Sequence, residues 1–114
     1  MSARFEGKIV APETNTYTFY LQHDDGARLY IDNASIIDHW GDGNRLNTTT
    51  INLVQNQEYD VKVEYYENAG AARLYLEWSY GLVSQTTVQF MPNYDQYSMI
   101  ASNVPSSITV LPPI

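Results

Sequence analysis

The chain has 114 residues, the size of one compact domain with no room for a second core. Hydrophobic residues make up 44% of it and charged residues 17%, with ten tyrosines, a mixture that excludes a disordered chain. A formal charge of −7 with six Lys and Arg excludes electrostatic attraction to nucleic acid or anionic lipid, and the absence of cysteine excludes disulfides and thiolate metal sites.

Apolar residues recur with a period of two almost everywhere, so the chain reads as strands. After the turn-like Ala11-Pro12-Glu13-Thr14-Asn15-Thr16 comes a strand, Tyr17 to Leu21, rich in aromatic and β-branched types. The turn His23-Asp24-Asp25-Gly26 joins it to Ala27 to Asp32, in which Ala27, Leu29 and Ile31 share one face. Asp32-Asn33-Ala34 is a tight turn into Ser35 to Asp38, and His39 to Asn44 is a polar loop bearing Gly41 and Gly43. Thr48 to Leu53 alternates as a strand, and Gln55-Asn56-Gln57 turns into the longest pattern, Tyr59 to Tyr66. There Tyr59, Val61, Val63 and Tyr65 face a core while Asp60, Lys62 and Glu64 face water. Ala72 to Trp78 repeats the alternation after the loop Glu67 to Ala71, and the two are expected to pair as an antiparallel hairpin.

The expected fold class is therefore all-β, an antiparallel sandwich or barrel of about seven strands. Residues 1–80 make its core, and 81–114 form an irregular C-terminal tail containing Val88, Phe90, Val104, Ile108 and Val110. Its apolar content favours packing on the same domain as a strap or edge strand over a stiff linker ending in Leu-Pro-Pro-Ile. Met1 to Gly7 has no apolar leader region and no stretch approaches a membrane span, so membrane insertion is not expected.

Two loops carry candidate chemistry, Asp24-Asp25-Gly26 and Glu67 to Ala72. Each places carboxylate, amide or carbonyl oxygens at a strand end. Calcium accepts all of these in a shell of six to eight oxygens, and positions left open by protein can take neighbouring hydroxyls of a sugar. The plainer reading is that Asp-Asp-Gly and Asn68-Ala69-Gly70 are ordinary turn chemistry.

The run Phe5-Glu6-Gly7-Lys8-Ile9, then Pro12-Glu13-Thr14-Asn15-Thr16-Tyr17-Thr18-Phe19, Asp24 to Asp32 and Ile37-Asp38-His39-Trp40, closely resembles the PA14 domain family. So does the later run from Tyr65 to Trp78, and the resemblance covers roughly residues 5 to 80. It implies a β-sandwich like those of protective-antigen toxins, yeast adhesins and glycosidase accessory domains. In sugar-binding members two adjacent aspartates joined by a cis peptide hold Ca2+ together with an Asn and backbone carbonyls of a second loop. Those positions match Asp24, Asp25 and Asn68, with Gly70 and Ala72 as carbonyl donors. The family usually has a further strand ahead of the segment matching Phe5. The edge left open there is filled by the C-terminal tail, left bare by trimming, or completed by a strand from a neighbouring chain.

The resemblance thus implies a calcium-dependent carbohydrate-binding module, a lectin-like part of an extracellular adhesin or polysaccharide-acting protein, with a glycan as partner. The alternative is a structural or self-association domain that meets a neighbouring domain or a second copy through an open edge. An enzyme is not expected, because no serine lies in a Gly-x-Ser-x-Gly setting and no carboxylate pair stands apart as acid and base. His23 and His39 belong to no metal-ligand pairing and read as packing or surface residues. Asp32, Asp38 and Asp42 read as strand-end caps. Trp78 is expected in the core, and Trp40, alone among the aromatics on the long loop, is a candidate to stack on a sugar with Asp24, Asp25 and Asn68.

Overall fold

A computed structural model describes residues 2–68 and 72–91, together with the backbone of 96–99 and 108–109. The strands are β1 (Ser2–Val10), β2 (Asn15–Asp24), β3 (Gly26–Ile31), β4 (Ala34–His39), β5 (Arg45–Leu53), β6 (Glu58–Tyr66), β7 (Arg73–Tyr80), β8 (Val83–Thr87), β9 (Gln96–Met99) and β10 (Ile108–Thr109). They form a sandwich of two sheets. The first has the order β4-β3-β6-β1-β9 and the second β10-β7-β2-β5, with β8 also paired to β7. Pairing is antiparallel throughout except for the short parallel contact of β10 with β7.

Alternation puts one side of each central strand into the space between the sheets. In β6, Tyr59, Val61, Val63 and Tyr65 are buried, and in β2, Tyr17, Phe19 and Leu21 are buried. Across β2 and β7 the large rings pack edge against face, with Tyr17 centred 5.2 Å from Trp78 and 4.5 Å from Tyr80, and Phe19 5.9 Å from Trp78. Val88 and Phe90, which follow β8, are buried in the same cluster.

Strand β1 was not among those read from alternation, although Ala3, Phe5 and Ile9 all point inward. Gly7 breaks the apolar series at the third inward position, so only the family resemblance marked this segment. Its edge away from β6 carries β9 over Ala3 to Glu6, so the C-terminal region is the source of the strand that covers it.

The expected hairpin between the last two long strands does not form. β6 pairs with β1 and β3, whereas β7 pairs with β2, β8 and β10, so the loop between them crosses from one sheet to the other. The same is true of β2 and β3, which belong to different sheets. A period of two says which face of a strand is buried but not whether the next strand lies beside it or across the core, because both arrangements bury the same face. True hairpins join β3 to β4 and β7 to β8. The first turns through Asp32 and Asn33 at φ 48° and 66°, the left-handed values that Asp and Asn tolerate best among residues with a Cβ.

Because Phe19 is fully buried against Trp78, Phe19→Ala is expected to cost about 3–5 kcal/mol. Urea denaturation should show a lower midpoint with the slope preserved.

Candidate functional site

Strands β2, β4 and β6 all run toward one rim of the sandwich, and each is followed by a strand of the opposite sheet. Three crossovers therefore meet there, at residues 24–26, at 40–44 and where β6 ends in 67–68. Asp25 ties them together. It is 5% exposed, and its Oδ1 accepts the N–H of Gly43 at 2.9 Å while Oδ2 accepts the N–H of Asn68 at 2.5 Å. Its own N–H donates to the Tyr66 carbonyl at 3.2 Å. The Asp24–Asp25 peptide is cis, and the Asp24 carbonyl accepts the Tyr65 hydroxyl.

Gly26 fits this corner because a Cβ there would lie 2.2 Å from the Tyr66 ring and 3.0 Å from the Gly41 nitrogen. Asp-Asp-Gly is thus the corner between two sheets rather than a hairpin turn. The Tyr66 ring in turn packs on Trp40, 4.8 Å between centroids, and Trp40 carries the Arg28 guanidinium 4.1 Å from its own centre. Trp40 stays 43% exposed.

Two residues set aside in the sequence reading belong to this assembly. His23 is fully buried. Its Nδ1 lies 2.6 Å from the Asp25 carbonyl, which only accepts, so Nδ1 carries the proton and donates; Nε2 lies 2.7 Å from the Asn47 side chain on β5. The ring therefore pins the Asp25 backbone to the second sheet. The signal was present in the sequence, since His23 continues the inward series Tyr17, Phe19, Leu21. Asp42 is the other: it accepts the Tyr66 hydroxyl at 2.8 Å and the Asn68 side-chain N–H at 3.2 Å. No local pattern marks it, because its partners are more than twenty residues away in the chain.

The consequence for Asn68 is orientation. With its amide nitrogen donating to Asp42, its Oδ1 is the end turned away from that bond. Asp24, Asp25 and Asn68 are thus brought to one rim, Trp40 stands beside them, and Ala72, 8% exposed, closes the same crossover just before β7. Gly70 lies outside the described residues. Asp32 sits at the opposite rim, accepting the Asp60 N–H at 2.7 Å, and Asp38 pairs with Arg28 at 3.0 Å.

Electrostatics mark the aspartate pair. Burial, then the hydrogen bond and like charge of Asp25, hold the Asp24 carboxyl above the usual carboxylate range, and Arg73 opposes this only in part. Burial also pushes the Tyr65 hydroxyl up, so it stays a donor at any ordinary pH. The hydrogen bond to Asp42, with some burial, pushes Tyr66 up to about 12. Among the described residues no group of three or more His, Cys, Asp and Glu side chains converges as a metal site. The side-chain oxygens gathered at this corner are instead those of Asp24, Asp25, Asp42 and Asn68. An all-oxygen set with an electrostatically strained carboxylate pair fits a hard divalent cation such as Ca2+ and does not fit a soft or nitrogen-seeking metal.

The family model for the PA14 domain matches residues 1–91. This chain belongs to the PA14 domain family. Anti-sigma-I factor RsgI3 of Acetivibrio thermocellus is 39% identical over 79 residues, covering 68% of this chain and 12% of that protein. An anti-sigma factor domain-containing protein from Clostridium clariflavum has a solved structure that superposes with a TM-score of 0.75 at 39% identity, over 78% of this chain and 30% of that one. The PA14 sugar-binding domain from an RTX adhesin shares the fold at a TM-score of 0.60 and 23% identity, over 73% of this chain and 49% of that one. This PA14 domain spans a small part of the first two relatives, 12% and 30% of their lengths.

A carboxyl whose pKa is raised by folding stabilises the fold only while protonated, so its contribution is present below its ordinary pKa and is lost as pH rises through the folded value. Asp24→Asn should therefore melt higher than the parent at pH 7 in EDTA. That gain should shrink toward zero near pH 3, where the parent carboxyl is itself neutral.

Proposed function

We propose that this PA14 domain is a calcium-dependent carbohydrate-binding module, displayed outside the cell as part of a larger adhesin, sensor or polysaccharide-acting protein. The observation that carries this reading is the Asp24–Asp25 pair at a three-loop rim, with Asn68 oriented beside it by Asp42. Asp24, Asp25, the Asn68 Oδ1 and the carbonyls of Gly70 and Ala72 are the residues that would hold the cation. Once bound, the cation offers open coordination positions to a pair of sugar hydroxyls. The chain's own residues do the rest: Asp25 keeps the three loops in register, Asp42 holds the Asn68 amide nitrogen and so leaves its oxygen for the cation, and Trp40, 43% exposed, would meet the sugar at the edge of its ring. The sugar-binding PA14 domain of the RTX adhesin supports the reading through its shared fold.

A structural reading has one observation in its favour. Both Asp25 oxygens already accept backbone N–H groups, so the residue can serve as a loop staple alone. Calcium linkage separates the two. A ligand bound only to the native state at a hundredfold its Kd adds about 2.7 kcal/mol of stability. Thermal unfolding in millimolar calcium is expected to exceed that in EDTA by several degrees, with the difference abolished in Asn68→Ala and in Asp25→Ala. A glycan array is expected to show binding that EDTA removes. Equal melting in calcium and EDTA, with a blank array, would leave the structural reading in place.

A further inference from the structure

The outer face of the first sheet carries a regular grid of charges that the rim site does not use. In one cross-strand row Arg28, Glu64 and Arg4 stand side by side on β3, β6 and β1, and in the next row Tyr30, Lys62 and Glu6 do the same. Four of the six Lys and Arg of the chain, Arg4, Lys8, Arg28 and Lys62, lie on this face. Each meets a partner: Arg4 with Glu6 at 3.3 Å, Lys8 with Asp60 at 2.8 Å, Arg28 with Asp38 at 3.0 Å and Glu64 at 3.7 Å, and Lys62 over the Tyr30 ring at 4.3 Å. Four cations stand against Glu6, Asp38, Glu58, Asp60 and Glu64, so the face carries a net charge of only about −1 on a chain whose net charge is −7.

Two depressions lie along it. One, of about 230 Å³, opens beside Trp40 between Arg28, Glu64 and Arg4. The other, of about 350 Å³, lies one row further from the rim, among Tyr30, Lys62, Glu6, Lys8 and Asn33. Trp40 belongs to the same five-residue loop as Asp42 and Gly43, so the first depression adjoins the rim site directly.

We infer that this face is a track on which an extended, neutral glycan chain lies after one of its sugars is held at the rim. The inference rests on the rim being a sugar site. Self-neutralised ion pairs give no attraction to a charged polymer. They do hold donors and acceptors in fixed directions at strand spacing, with Lys62 laid over the Tyr30 ring and Arg28 over the Trp40 ring. A protein partner fits less well, since the buried centre of such an interface is depleted in charge. The other large exposed apolar side chains among the described residues, Leu46, Val54, Tyr75, Leu82 and Val83, lie on the second sheet or the opposite rim.

The test is calorimetric titration of the whole chain in calcium with glucose, galactose, mannose and xylose, each as the monosaccharide and as its di- to hexasaccharides. The expected result is an affinity that rises about tenfold or more with chain length for the recognised sugar, a gain of about 1.4 kcal/mol. In Tyr30→Ala, and separately in Arg4→Ala, the ratio of hexasaccharide to monosaccharide affinity should fall to about one. Equal affinity for monosaccharide and hexasaccharide in the parent chain overturns the track and leaves the rim site standing, as does a length gain that survives both substitutions. Binding of no sugar at any length overturns the rim reading and the track with it.

Discussion

The two oxygens of the Asp25 carboxylate accept N–H groups from Gly43 and Asn68, and these belong to two different crossovers from the one that carries Asp25. The remaining features of the rim depend on that bridge. A hydrogen bond to an ionised group contributes about 1.5–3 kcal/mol, more than a neutral one, and a buried carboxylate left without partners is costly. Since the three crossovers each link one sheet to the other, the carboxylate also locks the sandwich at one end. His23 completes the arrangement from the interior by holding the Asp25 carbonyl and reaching β5 through Asn47.

From this anchor the geometry spreads outward in steps. Fixing the Asn68 backbone sets its side chain beside Asp42, and Asp42 is held in turn by the Tyr66 hydroxyl. The Tyr66 ring fills the space over Gly26 and supports Trp40, which carries Arg28. A rim that presents side-chain oxygens and an exposed indole is therefore continuous, through Arg28 and Glu64, with the ion-paired outer face of the first sheet. One loop of five residues, 40–44, links the two.

Much of this fold was legible in the sequence because alternation reports burial directly. The inward Tyr59, Val61, Val63 and Tyr65, and the core position of Trp78, follow from a period of two. Strand β1 escaped because Gly7 has no side chain to signal an inward position. The pairing of β6 was misjudged because neighbours within a sheet and neighbours across a sandwich bury the same face. At the site, Asp24, Asp25 and Asn68 were visible as oxygen donors in turn-like loops. Asp42 was not, since its role arises only when crossovers distant in sequence converge. His23 was readable as an inward residue, but a strand position alone does not say that its ring meets the Asp25 carbonyl.

The account turns on whether a cation enters at the Asp24–Asp25 corner. Amide NMR spectra of the isotope-labelled chain, recorded as calcium is added to the EDTA-treated protein, test this residue by residue. The account predicts saturable shifts concentrated at Asp25, Gly26, Gly43 and Asn68, the amides that form the corner or donate to it. Spectra that do not change, or small non-saturating shifts spread over the acidic surface, would contradict it.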